Sequence, residues 1–493
     1  MCGIAGVFFS RSGRSVESSL VTRMTDLIVH RGPDDAGQLV DRDLGIGMRR
    51  LSIIDLSAGH QPVFNEDQSI AVVFNGEIYN FQEIRDELVA KGHQFRTHSD
   101  TEVIVHLYEE MGADFPRRLN GMFAIALWDS KRRRLVVVRD RLGVKPVYYA
   151  WTADGLVFGS ELKCVLADRG VSREIDQEAL YQYLTLGYIP NPMSIHRDVR
   201  QLPPGARIVV EGGEMRIDRY WRLNAMVDRS LSRPDAEHKL RDLLSNATKL
   251  RMISDVPLGA FLSGGLDSSI VVALMAKQSS VPVKTFYIDF DEPEYSEREF
   301  ARAVAQRYGT DHHELVVRPS AVDILDRLVA HYDEPFADSS AIPTWFVSQL
   351  TREHVTVALA GDGGDESFGG YTRYQRILAH REFPSAIRKL AGGVGNALAA
   401  VLPRTMTGRD AMRALGYDYG QLFAGVFDEA KTRELLTPEF LRTAGKSSVW
   451  DAASEIYRRA DPDDRLARYA LLDLERYLPD DILAKVDRAS MAH

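Results

Sequence analysis

Cysteine is almost absent. Cys2 and Cys164 are the only two in 493 residues, which excludes a disulfide framework of the kind that staples small secreted domains. No C-x-x-C pair or Cys/His cluster occurs along the sequence, so a structural zinc site is not expected. Long apolar runs are missing as well. The longest, 123–128 and 270–276, fall far short of the ~20 residues a membrane span needs. No basic stretch followed by an apolar one opens the chain, so no secretory leader is expected. Nor is there an excess of positive charge. The 61 Lys and Arg against 70 Asp and Glu leave a net charge of −9, and that balance offers no global footprint for nucleic acid. These absences point to a reducing, cytoplasmic compartment and to a chain with neither membrane nor nucleic-acid partners.

What is present is ordinary globular material. Apolar residues make up 45% and charged residues 27%, as in folded domains generally. At ~150 residues per domain the length suggests two or three of them. Short β-like runs fall at 3–9, 70–74, 123–128, 135–139, 147–150 and 156–160, with helix-like stretches at 18–29, 81–91 and 101–111. The basic run 129–133 reads as a hairpin tip. A proline-rich segment, 190–205, and a polar one, 228–235, mark a junction, and the chain divides into 1–210 and 211–493. Beyond it, helices at 236–250, 268–277 and 296–308 and one after Pro343 alternate with strands at 256–262, 283–290 and 355–360. This alternation implies a doubly wound parallel sheet. Ligands on such sheets sit at the carboxyl ends of strands, where two glycine-rich turns fall.

Cys2 follows the initiator Met. Once Met1 is removed it carries both a thiol and an α-amine, whose pKa of about 7.7–8.0 lets it act as a base near neutrality. Such a residue is a nucleophile that needs no separate histidine, although a small residue left by translation would look the same. Further on lie His30-Arg31-Gly32-Pro33-Asp34, Arg50-Leu51-Ser52-Ile53-Ile54-Asp55, Asn75-Gly76-Glu77-Ile78-Tyr79-Asn80 and Ser99-Asp100-Thr101-Glu102. Together with Met1-Cys2-Gly3-Ile4-Ala5-Gly6-Val7, these five motifs in this order resemble the N-terminal-nucleophile glutamine amidotransferases. The resemblance implies an αββα sandwich with Cys2 as nucleophile. It implies an oxyanion hole made by the Asn75 side-chain amide and the Gly76 N–H. Glutamine would be held by Arg50, Leu51, Ser52, Ile53 and Ile54 together with Asn75, Gly76, Glu77 and Asp100. Arg50 would meet its α-carboxylate and Asp100 its α-amine. From the residues alone, a surface ion pair for Arg50 and Asp100 and a hairpin turn for Asn75-Gly76 stay open. Cys164, on a helix-like pattern, reads as a small buried hydrophobe.

The first glycine turn, Ser263-Gly264-Gly265-Leu266-Asp267-Ser268-Ser269, joins a strand to a helix. Backbone N–H groups, the helix N-terminus and two hydroxyls make it an anion cradle. Asp267 fits phosphate only through Mg²⁺, and the lysine of a Walker loop is missing. The loop resembles that of ATP pyrophosphatases. The second turn, Ala360-Gly361-Asp362-Gly363-Gly364-Asp365-Glu366, also follows an apolar strand.

A glutaminase followed by such a domain resembles the glutamine-hydrolysing asparagine synthetases, and Asp333-Glu334-Pro335 and Lys485-Val486-Asp487-Arg488 extend the likeness over nearly the whole chain. The resemblance implies glutamine, aspartate and ATP as substrates. It implies ATP bound by Leu262, Ser263, Gly264, Gly265, Asp267, Ser268, Ser269, Ile288, Ala360 and Gly361, and Mg²⁺ held by Asp267 and Asp365. Asp362 would serve the acyl-adenylate, and Lys485 and Arg488 would supply positive charge, a structural ion pair being open for each. An apolar ammonia tunnel between the domains is also implied. Position 360 is Ala where the family commonly has Ser. The chain stops at Ser490-Met491-Ala492-His493 without a C-cap signal, where the family continues, so a truncated synthetase domain is expected. A homodimer stays open. Relatives that amidate another carboxylate, such as a peptide or cell-envelope precursor, share these motifs, and a non-catalytic glutamine sensor is the remaining alternative.

Overall fold

The computed structural model describes residues 2–290, 296–317, 321–379, 429–445 and 449–493, with short pieces between 390 and 398. Its first part holds twelve strands: β1 (Gly3–Phe8), β2 (Asp35–Asp41), β3 (Leu44–Arg50), β4 (Val63–Phe64), β5 (Ile70–Ile78), β6 (Gly121–Asp129), β7 (Arg134–Arg139), β8 (Tyr148–Trp151), β9 (Leu156–Gly159), β10 (Val199–Gln201), β11 (Ala206–Glu211) and β12 (Glu214–Arg219). They form two six-stranded sheets, ordered β10-β8-β9-β1-β3-β2 and β12-β11-β7-β6-β5-β4.

Ile4 and Phe8 of β1 face Val73, Ala126 and Trp128 of the other sheet across a shared core. Ala5 and Val7, on the opposite face of β1, pack on Leu20, Val21 and Met24 of the helix Ser18–Asp26. The outer face of the second sheet is covered in the same way by the helices Phe81–Ala90 and Glu102–Met111. Each central strand is therefore buried on both faces. This is why these strands read as continuous apolar runs and not as the alternation of a half-exposed strand. The layers are the expected αββα sandwich.

Two differences from the sequence reading matter. Strands β2 and β3 were not expected, since glycines and charges interrupt their apolar pattern, yet β3 delivers Arg50. The boundary expected after residue 210 falls at the β11–β12 hairpin, whose six residue pairs run from Ala206↔Arg219 to Glu211↔Glu214. Strand β12 completes the second sheet, which therefore runs on to Arg219.

The second part carries a sheet of β13 (Leu258–Phe261), β14 (Lys284–Phe290), β15 (Asp311–Val317) and β16 (Val357–Leu359). All its pairings are parallel, in the order β15-β14-β13-β16. The edge strand β15 was missed because Asp311-His312-His313-Glu314 opens it with polar residues, which edge strands accept. The order reverses direction at β13, whose neighbours β14 and β16 lie on either side of it. That is the topological switch point, where parallel sheets bind ligands. Near the end of the chain, a stretch wound as a π-helix (Asp473–Ile482) continues into the helix Leu483–Met491. Among the described residues, no helix is long and apolar enough to cross a membrane.

A buried ionic cluster joins the two parts. Arg31, fully buried, lies 2.8 Å from both Glu161 and Asp487. Lys145 is 2.9 Å from Asp487, and Arg488 is 2.8 Å from Glu161. Removing one partner of such a buried pair typically costs about 3–5 kcal/mol, because a bare charge is left behind. Nearby, Tyr148 donates to Glu334 at 2.8 Å, and Asn191 donates to Asp480 at 2.9 and 3.0 Å.

Candidate active site

Cys2 sits at the entry to β1, where the two sheets meet, and is 7% exposed. Its Sγ lies 3.8 Å from the Leu51 carbonyl. Burial pushes the thiol above its ordinary pKa, Glu77 adds to this, and Arg50 opposes it. Arg31 Nε donates to the Cys2 carbonyl at 3.2 Å, so the interface cluster also fixes the backbone of this residue. That role was missed: Arg31 belongs to a quoted motif, but its partner Asp487 is 456 positions away.

Asn75 and Gly76 lie inside β5, paired with Ala124 and Phe123, and are not a hairpin turn. Asn75 is fully buried, yet neither its Nδ2 nor its Oδ1 has a hydrogen-bond partner. A buried amide left unpaired is costly, and one at a cleft is available for an incoming group. Gly76 has φ +155°, and a Cβ there would stand 2.0 Å from the Met122 carbonyl oxygen, so no other residue fits.

Arg50 is buried and donates to the carbonyls of Ile54 and Asp55 at 3.1 and 2.8 Å. It thereby shapes the 51–55 loop. The Ser52 N–H donates to Asp34 at 2.9 Å. The Asp255 N–H of the second part donates to the Ile53 carbonyl at 3.0 Å, and the Asp55 N–H donates to the Asp255 carboxylate at 2.8 Å. The loop thus touches both domains. Asp100 is buried and accepts from the Ile78 N–H at 2.8 Å. Burial nevertheless pushes its carboxyl up to about 6. Burial, and then Asp100 itself, hold Glu77 well above the usual range. Two crowded carboxyls of this kind favour an added cation, which an ammonium group would supply.

The two glycine turns leave the carboxyl ends of β13 and β16, which are hydrogen-bonded neighbours, and they interlock. A Cβ on Gly361 would lie 2.9 Å from the Ser268 backbone nitrogen, and one on Gly364 would lie 2.3 Å from Asp267 Oδ2. Gly264 has φ +89°, and a Cβ there would meet the Ala301 nitrogen at 2.6 Å. Ser263 Oγ accepts from the Gly265 N–H at 3.1 Å and lies 3.0 Å from Ser268 Oγ, while Ser269 Oγ donates to the Gly265 carbonyl at 2.6 Å. The loop closes on the N-terminus of the helix Leu266–Gln278. Burial, then the neighbouring Asp365, push the Asp267 carboxyl up. Paired acids at a helix N-terminus beside a glycine cradle fit a phosphate group carried with a divalent cation.

The remaining expectations divide. Lys485 Nζ donates to Asp338 at 2.7 Å and to Ser340 at 2.6 Å. It also opposes the upward push that close packing and Glu366 exert on Asp362, whose side chain opens into the central cavity. Arg488 is elsewhere. Its guanidinium pairs with Glu161 across the domain interface, the structural ion pair that the sequence leaves open. Leu262 is fully buried in the core with Ala260, Val272 and Met275, which leaves only its backbone toward the loops. Ile288 is half-buried within β14. Cys164 is buried and packs in the outer core of the first sheet.

A cavity of about 1030 Å³ reaches members of both sets. Leu51, Ile53 and Glu77 line one side, and Asp267, Ala360 and Asp362 line the other. Residues 1–221 match a family model described as glutamine amidotransferase domain, and residues 239–493 match one described as asparagine synthase. Asparagine synthetase [glutamine-hydrolyzing] 1 of Bacillus subtilis is 34% identical, with the match covering all of this chain and 78% of that protein. A putative asparagine synthetase [glutamine-hydrolyzing] 2 of Methanocaldococcus jannaschii is also 34% identical, over all of this chain and 98% of that protein. A putative asparagine synthetase [glutamine-hydrolyzing] of Mycobacterium tuberculosis is 35% identical, over 100% and 79%. With Cys2 at the entry to β1, an unpaired buried amide at Asn75, paired glycine turns at the switch point and these relatives along its full length, the chain belongs to the glutamine-hydrolysing asparagine synthetase family.

Proposed function

We propose that the chain makes asparagine by hydrolysing glutamine at Cys2, activating aspartate with ATP, and passing the freed ammonia between the two sites. The observation that carries this reading is a cavity that runs from Leu51, Ile53 and Glu77 to Asp267, Ala360, Gly361 and Asp362. Apolar side chains such as Met122, Leu142, Val144, Ile253 and Leu478 contribute to its wall. Such a lining suits neutral ammonia, which open water would protonate. Residues 1–219 would carry the glutaminase and residues 220–493 the synthetase.

In the first half, Cys2 Sγ attacks the carboxamide carbon of glutamine. With burial holding the thiol neutral, the α-amine freed by removal of Met1 takes its proton. The developing oxyanion meets the Asn75 side-chain amide and the Gly76 N–H. Arg50 and the Glu77–Asp100 pair orient the two ends of the substrate. Ammonia leaves, and water hydrolyses the thioester to glutamate. The unpaired Asn75 amide makes a sharp expectation: Asn75→Ala should lower kcat for glutamate release about 10²–10³-fold with little change in KM. An unchanged kcat would remove Asn75 from the oxyanion hole.

In the second half, the β-carboxylate of aspartate attacks the α-phosphorus of ATP. Pyrophosphate leaves, and β-aspartyl-AMP forms. Ammonia then attacks the acyl carbon and AMP departs. Lys485 supplies positive charge beside Asp362. Asp267 and Asp365 would hold Mg²⁺, which when bound offsets the charge of the phosphates. The reading is tested by pyrophosphate release with ATP, Mg²⁺ and amide-¹⁵N glutamine, with and without aspartate. Aspartate-dependent release with labelled asparagine is expected. Glutamate formed without aspartate-dependent pyrophosphate would overturn asparagine as the product and point to another acceptor acid.

A further inference from the structure

Away from the cavity, four side chains converge that no spacing in the sequence brings together. Glu66 lies between β4 and β5, and His93 follows the helix Phe81–Ala90. His106 and Glu109 lie one turn apart on the helix Glu102–Met111. One ligand atom from each can be chosen so that all four are within 4.8 Å of one another. We propose that Glu66, His93, His106 and Glu109 bind one zinc-type divalent ion.

The distances suit a metal site. His93 Nδ1 is 3.3 Å from Glu66 Oε1 and 3.6 Å from Glu109 Oε2. His106 Nδ1 is 3.3 Å from Glu66 Oε2 and 3.2 Å from Glu109 Oε2. Charge-assisted hydrogen bonds prefer about 2.7–2.9 Å, and the buried pairs of this chain, such as Arg31 with Glu161 and Asp487, sit at 2.8 Å. Ligands about 2.0–2.1 Å from a tetrahedral ion stand about 3.3 Å apart along the edges of the tetrahedron. The cluster has the longer spacing.

The outer contacts have the same character. Each histidine turns Nδ1 inward and presents Nε2 to a further carboxylate. For His93 this is Glu110 at 3.4 Å, and for His106 it is Glu102 at 3.8 Å. A carboxylate hydrogen-bonded behind a ligating imidazole orients the ring and raises its basicity, a position Glu110 holds for His93. Glu109 Oε1 accepts from Asn65 Nδ2 at 2.8 Å, and Glu66 Oε1 accepts from the Gln94 N–H at 3.1 Å. His106 is fully buried, and its Nε2 has no hydrogen-bond partner. The two carboxylates are about one-third exposed, 33% for Glu66 and 28% for Glu109, which gives an ion a way in. Two imidazoles with two carboxylates are a donor set for zinc. The metal would tie the helix that follows Asp100 to the sheet edge and to the end of the neighbouring helix.

The full chain, freed of metal by a chelator and kept in excess Mg²⁺, is titrated with Zn²⁺ against a chromophoric competitor. One equivalent is expected to bind and to raise the unfolding midpoint. His93→Gln and Glu109→Gln, at positions whose side chains are 13% and 28% exposed, should each weaken binding at least 10–100-fold. The double variant should lose both binding and the thermal shift while still hydrolysing glutamine. As an independent reading on the unaltered protein, Co²⁺ should give the intense visible absorption of a tetrahedral ion. Absence of stoichiometric Zn²⁺ binding, unchanged affinity in the double variant, or only the weak bands of octahedral Co²⁺ would each overturn the proposal.

Discussion

Replacing Cys2 by alanine is expected to abolish glutamine hydrolysis, a fall in kcat of about 10⁴-fold or more, while ammonia-driven synthesis of asparagine persists. The substitution removes one sulfur from a side chain that is almost wholly buried at the edge of the inter-sheet core. It breaks no ion pair, and the Arg31 contact is to the Cys2 backbone and survives. Loss of folding therefore does not explain lost activity, and ammonium as nitrogen source supplies the internal control. Glutamate release is measured alongside pyrophosphate release with saturating ammonium. Persisting glutamate release would refute Cys2 as the nucleophile. Loss of both activities would show that the thiol also holds the second site together.

The second large effect is on the other domain. Asp267→Asn should reduce aspartate-dependent pyrophosphate release by about 10³-fold or more, since phosphate charge is then left without its cation. Basal glutamate release should stay near that of the unaltered chain. Asparagine is nearly isosteric, and the carboxyl it replaces is already pushed up by burial and Asp365. Neutralising one of two crowded acids costs the fold little. The close approach of the Gly364 backbone to Asp267 is kept in the variant, whereas any larger residue would part the two turns. Pyrophosphate release at rising Mg²⁺ is the measurement, and unchanged release would take Asp267 out of the phosphate site.

Much of this architecture is legible because its motifs are local. The Ser263–Ser269 turn and the Asn75-Gly76 pair each lie within a few residues, and strands buried on two faces announce themselves as apolar runs. What stays hidden depends on distance along the chain or on direction in space. Arg31 reads as one member of a motif until the fold brings Asp487 to it. Arg488 follows Asp487 by one residue, yet it points to Glu161 and the glutaminase side. Lys485, three positions earlier, points to Asp338 and Ser340. One helical turn decides which residue serves which domain, and no spacing rule gives the rotation of that helix. Strand β3 was obscured by its glycines. The Glu66–Glu109 cluster is drawn from three separate segments, and only His106 and Glu109 carry a helical interval.

The contact between Arg31 and Asp487 also bears on the order in which the chain is made. Translation delivers Cys2, Arg31 and Lys145 first, while Asp487 emerges 456 residues after Arg31. At about 5–20 residues per second, that delay is roughly 20–90 s. Throughout it the cation that steadies the nucleophile's backbone has Glu161 at most, and Lys145 has yet to meet its carboxylate. The helix Leu483–Met491 therefore completes the charge balance of Arg31 and Lys145. The first part of the chain is left with an unfinished ionic cluster until Asp487 and Arg488 of the second part have been made.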